Sequence, residues 1–339
     1  MPSTASAQVG LVLGSHIPPE QIPSLAQLAE RLELSELWLA EDYFFTGGIS
    51  AATAALGATS RIPVGLGIVA AQVRHPAVLA MEVATMERLY PGRVWPGVGL
   101  GVPHWIHQMG FHPKSPLTVL RESVTTLGRL LAGENVTFDG KVFTLDQVEL
   151  THRPAATMPI YMGVIGPKML KLAGEIADGT VVSVLASPQY ISWLRERVQE
   201  GMAEGGRTSH RVATFALYTV DADAAKAKAA IRQIAAFYLA AVPRSALTDV
   251  YGIGDELWDM YERGGADAAA LIHREMPDEW VDDLVIAGDP DECAARIQAL
   301  LDAGSDSVAL FPMPVDRTAE IVEMTARDVL PKINSPARA

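Results

Sequence analysis

The sequence contains a single cysteine, Cys293, among its 339 residues. One thiol cannot form a disulfide within the chain, and the segment DPDECAARI predicts a helix with no second thiol for metal or redox chemistry. The histidines show neither H-x-x-x-H nor H-E-x-x-H spacing, the two patterns typical of helical zinc sites. We therefore expect a structural cysteine and no metal centre.

Basic residues are also scarce, with 27 lysines and arginines against 40 aspartates and glutamates. They form no continuous stripe that could follow a phosphate backbone, which argues against nucleic acid as a partner. No apolar run approaches the roughly 18 residues of a membrane span. The opening segment MPSTASAQ lacks the basic and apolar regions of a secretory signal. We expect a cytoplasmic protein, away from membranes, that acts on a small molecule.

Short apolar runs alternate with amphipathic stretches along the chain, which is typical of parallel βαβ units. The predicted strands are 9–14, 37–40, 64–69, 94–100, 160–163, 180–184, 212–220 and 307–311. Eight such units favour a closed (β/α)₈ TIM barrel with insertions over an open doubly wound sheet. We expect one α/β barrel domain over 1–339, with a β-hairpin excursion near 136–150 and a helical insertion near 223–288.

Unusual polar and aromatic residues follow the first four predicted strands, at the end where barrel enzymes place their active sites. They are Ser15, His16, Glu41, Asp42, Tyr43, Arg74, His75, His104, Trp105 and His107. Any one of them alone is better explained as a solvated loop residue or a helix cap. Their concentration at one end favours an active site, with His104 and His107 in a lid and not in a metal site.

Glycines recur with period two in the third and fourth predicted strands, at Gly65 and Gly67 and at Gly97, Gly99 and Gly101. This spacing removes side chains from one face of each strand and predicts a flat slot where a planar ligand could approach the backbone. Bulges or the taper of the barrel core would explain the same pattern. It is not a dinucleotide-binding fingerprint, because GVGLGVP lacks the third glycine of G-x-G-x-x-G.

The turn after the fifth predicted strand combines Gly163 and Gly166 with a helix that starts at Pro167 and Lys168. Free backbone N–H groups, the positive end of the helix dipole and a lysine together form an anion site. An ordinary βα turn is the alternative, but it does not explain why all three features coincide. We expect this turn to bind phosphate.

These segments together resemble the luciferase-like family of barrel oxidoreductases, and in particular its F420-dependent branch. That branch includes methylenetetrahydromethanopterin reductases and F420-dependent glucose-6-phosphate and alcohol dehydrogenases. The resemblance is carried, in the family's order, by ELWLAEDYFF, VGLGIVAAQVRHPAVLAMEVATMERLYPGRV, GVGLGV and PIYMGVIGPKMLKLAGEIADG. It implies an enzyme that uses the deazaflavin F420, with FMN as the alternative cofactor, and it implies a homodimer.

The resemblance also implies roles for individual residues. It places Glu41, Asp42 and Tyr43 against the deazaflavin and the reacting part of the substrate. It places the cofactor against Gly67, Ile68, Val69, Gly163, Val164, Ile165, Gly166 and Lys168, with a cis peptide at Gly67–Ile68, and the glycine spacing adds Gly99 to this set. Several F420-dependent members carry a proton-donating glutamate where this chain has Val102.

The proton donor must therefore be sought elsewhere, at Glu41, Asp42, His16 or His104. Because Glu41 and Asp42 are adjacent, they should point to opposite sides, so only one of them should face the cofactor. His104 and Trp105, with Tyr43, are expected to contact the substrate or form a lid.

We accordingly expect hydride transfer between F420 and a small organic substrate. Without the family glutamate, reduction of an imine, enone or similar group fits better than sugar oxidation. An FMN-dependent monooxygenase is the alternative within the family. A flavin-binding protein without catalytic activity is the alternative from a different functional class.

Overall fold

Parallel strands surrounded by helices make up most of the computed structural model, which describes residues 8–333. The strands are β1 (Val9–Leu13), β2 (Leu37–Leu39), β3 (Val64–Leu66), β4 (Val69–Ala70), β5 (Val94–Trp95), β6 (Gly97–Gly99), β7 (Val136–Asp139), β8 (Thr144–Val148), β9 (Tyr161–Gly163), β10 (Gly179–Val182), β11 (Arg211–Val220), β12 (Ile286–Gly288) and β13 (Ser307–Pro312). The helices are α1 (Ile22–Arg31), α2 (Gly48–Ala58), α3 (Pro76–Leu89), α4 (Pro103–Gln108), α5 (Pro116–Leu131), α6 (Pro167–Ile176), α7 (Pro188–Gly205), α8 (Ala224–Ala241), α9 (Ala246–Tyr251), α10 (Gly254–Gly264), α11 (Ala268–Glu275), α12 (Asp278–Leu284), α13 (Pro290–Asp302) and α14 (Thr318–Met324).

Two of the predicted strands are each broken into two segments. Segment 64–69 becomes β3 and β4, separated by a cis peptide bond at Gly67–Ile68, which confirms the cis bond expected from the resemblance. Segment 94–100 becomes β5 and β6, separated by Pro96. Proline has no N–H to donate to a neighbouring strand, which accounts for the second break.

The barrel closes through these broken strands. β1 pairs with β13 and with β2, and β2 pairs with β3. β3 pairs with β5, whereas β4 pairs with β6, and β6 continues to β9. β9, β10, β11 and β13 complete the ring, and every one of these pairs is parallel. Eight strand positions thus form a closed ring, and the predicted barrel fold is confirmed.

Two excursions leave this ring. The antiparallel pair β7–β8 is a separate two-stranded sheet, and Glu122 on α5 accepts hydrogen bonds from the backbone N–H groups of Lys141, Val142 and Phe143. Between β11 and β13, the chain forms α8 to α12 and then β12, which pairs with β11. These bounds lie close to the 136–150 and 223–288 segments that the sequence suggested.

A buried ionic group fills the barrel near the N-terminal ends of its strands. Glu36 is fully buried and forms an ion pair with Arg211, while it also accepts hydrogen bonds from Trp38 Nε1 and Ser307 Oγ, both at 2.8 Å. The guanidinium of Arg211 stacks over the ring of Trp95. Burial alone would lower the pKa of Arg211, but the charges of Glu36 and Tyr161 and their hydrogen bonds with Arg211 together outweigh burial, and the pKa is raised. Each carboxylate oxygen therefore has a partner, as a buried charge requires.

A buried histidine connects β10 to the start of β11. The Nε2 atom of His210 lies 2.8 Å from Thr180 Oγ1, and its Nδ1 atom lies 3.2 Å from the carbonyl oxygen of Ala177. The side chain is 7% exposed, and burial lowers the pKa of His210 from 6.5 to about 4. The neutral ring, donating from Nδ1 and accepting at Nε2, satisfies both neighbours.

This lowered pKa predicts a loss of stability in acid. Between pH 6.5 and about 4, the unfolded chain binds a proton at His210 and the folded chain does not. The stabilisation is complete above pH 6.5 and is lost as the pH falls through this window. We expect His210→Gln to abolish about 2 kcal/mol of the difference in unfolding free energy between pH 7 and pH 4.5. Denaturant titrations at both pH values measure this, and an identical acid loss in both proteins would contradict it.

Candidate active site

The C-terminal end of the barrel holds a buried ion pair between two of its loops. The carboxylate of Glu41, after β2, accepts from Arg74 Nη1 at 2.5 Å and from Arg74 Nη2 at 2.8 Å. It also accepts from the N–H of Gly48 at 2.9 Å and from the hydroxyl of Tyr43 at 3.2 Å. The Glu41 side chain is only 3% exposed. Four donors thus hold this carboxylate, which joins the loop after β2, the start of α2 and the loop after β4.

Burial and Glu41 together shift the pKa values of two neighbours of this carboxylate, Arg74 and Tyr43. Burial lowers the pKa of Arg74, but its hydrogen bonds and ion pair with Glu41 outweigh that effect and raise it. Burial, together with the charge of Glu41, raises the pKa of Tyr43 to about 12. Near neutral pH, Arg74 is therefore charged and Tyr43 is a protonated hydrogen-bond donor. We call the C-terminal end of the barrel, with the loops that follow its strands, the mouth. Glu41, Arg74 and Tyr43 form a fixed structural element within it.

Asp42 has a different set of neighbours. Ser15 Oγ, after β1, donates to Asp42 Oδ2 at 2.6 Å. On α8, burial first and the charge of Asp42 second raise the pKa of Tyr238. Asp42 is half-buried and has no partner in common with Glu41, in agreement with the opposite directions expected of adjacent residues. Tyr238 was not identified from the sequence, because it lies within an alanine-rich helix with no motif around it.

Aromatic side chains from three segments meet beside Asp42. The rings of His16 and Phe45 lie 4.5 Å apart, and those of Phe45 and Trp105 lie 5.8 Å apart. Phe44 is 67% exposed and Phe45 is 48% exposed, values unusual for large apolar side chains. The structure thus brings His16 and Trp105 together, through a phenylalanine that sequence analysis had not singled out. His104, on α4 beside Trp105, is exposed.

The glycines of the third and fourth predicted strands do not leave an open slot, and that interpretation of them is wrong. A Cβ atom on Gly99 would lie 2.6 Å from Ile68 Cδ1, and one on Gly163 would lie 2.8 Å from Ile68 Cγ2. A Cβ atom on Gly67 would lie 2.7 Å from Phe215 Cζ. Side chains of the protein fill the space, so the alternative of core packing explains these glycines. Val69 is fully buried and pairs with Val98 in the sheet.

The turn between β9 and α6 keeps the features of an anion site. No side chain caps α6 at its N-cap residue Gly166, and a Cβ atom on that glycine would contact nothing within 4 Å. Lys168 is exposed and has no ion-pair partner among residues 8–333. The hydroxyl of the fully buried Tyr190 donates to the carbonyl of Ile165 at 2.8 Å and holds the turn from below. Val164 packs into the core. An open helix N-terminus beside a lysine fits a phosphate.

A cavity of about 580 Å³ adjoins the mouth on the side of α1 and α2. We call it the α1–α2 groove. Its lining consists of Ser15, His16, Ile17, Pro18, Pro19, Ile22, Phe45, Thr46, Gly47, Ser50, Ala51 and Ala54.

Further features of the described chain that bear on function are metal binding, thiol reactivity and membrane spans. Among residues 8–333, no cluster of three or more histidine, cysteine or acidic side chains is arranged to hold a metal ion. Cys293 is buried, and burial raises the pKa of its thiol to about 12. The helices in this range include none that is long and apolar enough to cross a membrane.

Comparison with known proteins gives consistent matches along the chain. Residues 3–307 match the family described as luciferase-like monooxygenase. The 5,10-methylenetetrahydromethanopterin reductase of Methanolobus tindarius is 33% identical over 293 residues, which cover 85% of this chain and 88% of that protein. The F420-dependent glucose-6-phosphate dehydrogenase of Nakamurella multipartita is 28% identical over 340 residues, which cover 94% of this chain and 93% of that protein.

A solved structure shows the same architecture. The coenzyme F420 dependent tetrahydromethanopterin reductase from Methanopyrus kandleri superposes with a TM-score of 0.85 at 27% sequence identity. The superposition covers 97% of this chain and 100% of that chain. The similarity in fold therefore extends over nearly the whole chain.

Proposed function

The chain belongs to the luciferase-like family, and from this premise we propose that it is an F420-dependent reductase of a small organic molecule. Its cofactor is F420, and its reaction is an oxidoreduction, as in the relatives. We propose that the reduced group is an imine, an enone or a similar polarised double bond. The observation that carries the proposal is the open anion site at Gly166 and Lys168, at the same end of the barrel as Asp42.

Some residues of the mouth would bind the cofactor, and others would bind the substrate. Gly163, Val164, Ile165, Gly166 and Lys168 would hold the anionic part of F420. Ile68 would supply an apolar surface behind the ring, and Tyr43, His104 and Trp105 would contact the substrate or cover it. When bound, the deazaflavin supplies the hydride. The chain must orient the acceptor and deliver a proton.

We propose Asp42 as the group that delivers this proton. Val102 has no proton to donate. The carboxylate of Glu41 already accepts hydrogen bonds from four donors, which leaves Asp42 as the less constrained acid. Among residues 8–333, the Asp42 carboxylate accepts one hydrogen bond, from Ser15 Oγ, and Asp42 is half-buried. In the reduction, the hydride forms a bond to one atom of the double bond and the proton from Asp42 forms a bond to the other. Solvent then returns a proton to Asp42.

We further propose a homodimer in the cytoplasm. The outward face of α3 exposes three apolar side chains, Val78, Met81 and Leu89, and exposed apolar patches of this kind often mark contact surfaces. A single buried thiol suits a reducing compartment.

Removal of the lysine should weaken the cofactor complex. We expect Lys168→Ala to reduce F420 affinity by about 1.5 to 3 kcal/mol, because a charge-assisted contact is lost from an exposed site. Fluorescence titration with F420 measures the affinity. Lys171→Ala is the matched control on the same helix, since Lys171 pairs with Glu204 instead. Equal affinity of the two variants would remove Lys168 from the site.

Removal of the Asp42 carboxyl group should slow the reaction without loss of cofactor binding. We expect Asp42→Asn to lower kcat by ~10²-fold, to leave F420 affinity little changed and to delete one limb of the pH–rate profile. Glu41→Gln should weaken the ion pair with Arg74 and lower stability, but it should retain both limbs. Wild-type turnover with both limbs in Asp42→Asn would contradict the assignment, and His16 or His104 would become the next candidate.

A further inference from the structure

We infer that the α1–α2 groove binds an uncharged hydrocarbon portion of the substrate, so that the substrates are neutral cyclic enones or imines with an apolar substituent. The inference rests on the proposed function, because it names the substrate class of that same site.

The groove shares residues with the proposed reacting end of the site. Ser15, which donates to Asp42, is part of its lining, and so are His16 and Phe45 of the aromatic mouth. A substrate whose reacting atom lies beside Asp42 can therefore extend into the groove. The volume of about 580 Å³ is within the range of small-molecule sites.

The chemistry of the lining favours a neutral occupant. Its polar groups are three hydroxyls and one imidazole, and none of the described lining residues is an aspartate, glutamate, lysine or arginine. Two of the hydroxyls already have acceptors, since Ser15 donates to Asp42 and Thr46 donates to the carbonyl of Ile17. The remaining lining residues are apolar side chains and one glycine, and among them Pro18, Pro19 and Phe45 are exposed. A charge transferred from water into this lining would lack a compensating partner.

Two positive groups beside the loop after β2 are already neutralised by Glu41. The first N–H of α2, at Gly48, donates to the carboxylate of Glu41, so the positive end of this helix already faces an anion. Arg74 donates to both oxygens of the same carboxylate. A phosphorylated sugar or a carboxylate substrate would thus find no lysine or arginine side chain in the described lining of the groove, although Lys168 remains available to the cofactor.

Ring-shaped substrates suit the rim of the groove. The rings of His16 and Phe45 are tilted by 43° and separated by 4.5 Å, and about half of the Phe45 side chain is exposed. The exposed face of an aromatic ring binds a flat or cyclic hydrocarbon better than an extended polar chain.

The test uses three probes that differ at one position: 2-cyclohexenone, 4-isopropyl-2-cyclohexenone and the 4-carboxylate analogue. With reduced F420 and the full-length protein, we expect kcat/KM to be about tenfold higher for the isopropyl probe than for the unsubstituted ring. The carboxylate should be the poorest of the three. A preference for the carboxylate would overturn the inference.

Two variants test whether the preference for the isopropyl probe arises in the groove. Ala54 lines the groove and is exposed, so Ala54→Trp fills the space with little disturbance of the core. It should raise KM for the isopropyl probe about tenfold more than it raises KM for the unsubstituted ring. Ala58→Trp, on the same helix outside the lining, is the matched control. Ala54→Leu serves in its place if near-ultraviolet circular dichroism shows that Ala54→Trp is misfolded. Unchanged selectivity in the groove variants would contradict the inference.

Binding without turnover separates this inference from the proposed function. Calorimetry with the saturated ketone 4-isopropylcyclohexanone should show binding to the wild-type protein with oxidised F420 and at least tenfold weaker binding to the Ala54 variant. If F420 binds and the ketone binds but no enone is reduced, the groove is supported and the proposed reaction fails. Absence of ketone binding both with and without F420 overturns the groove.

Discussion

The side chain of Ile68 occupies a space that exists only because the adjoining strands carry glycine there. A Cβ atom on Gly99 or on Gly163 would lie within 2.8 Å of this side chain, closer than packed carbon atoms approach. The same contact joins the cis peptide at Gly67–Ile68 to β6 and to the last residue of β9. Since β9 leads directly into the anion-binding turn, the surface behind the proposed ring site and the proposed phosphate site are parts of one packed unit.

Two adjacent carboxylates at this end of the barrel have different surroundings. Glu41 is held by an arginine, a tyrosine and a helix N–H, and it fixes the positions of three segments relative to one another. Asp42 has one hydrogen bond from Ser15 and lies beside the aromatic mouth and the α1–α2 groove. A rigid charged pair next to a less constrained acid is a suitable arrangement for a site that must both hold a cofactor and move a proton.

The sequence predicted the barrel because period-two and period-3.6 patterns are local, and each of the eight strand positions was identified. It did not predict α2, whose sequence GISAATAALGA is nearly all small and apolar and so has no clear polar face. The three-residue strand β12 was also too short to show a pattern. These omissions come from weak local signals and not from an incorrect topology.

The candidate site was predictable only in part. Residues that directly follow strands, such as Asp42 and His16, were found because the barrel fixes where strand ends meet. Phe45, Tyr190 and Tyr238 were missed, since each reaches the site by tertiary packing that no motif records. The glycines were misinterpreted for the same reason, because a missing side chain does not reveal which atoms occupy its place.

Cofactor selectivity is the most direct test of this view of the barrel mouth. The purified protein can be titrated with F420 and with FMN, and cofactor fluorescence followed in each case. We expect F420 to bind at least tenfold more tightly than FMN and to displace it. Preferential binding of FMN, or no binding of F420, would contradict the assignment of this barrel to F420 chemistry.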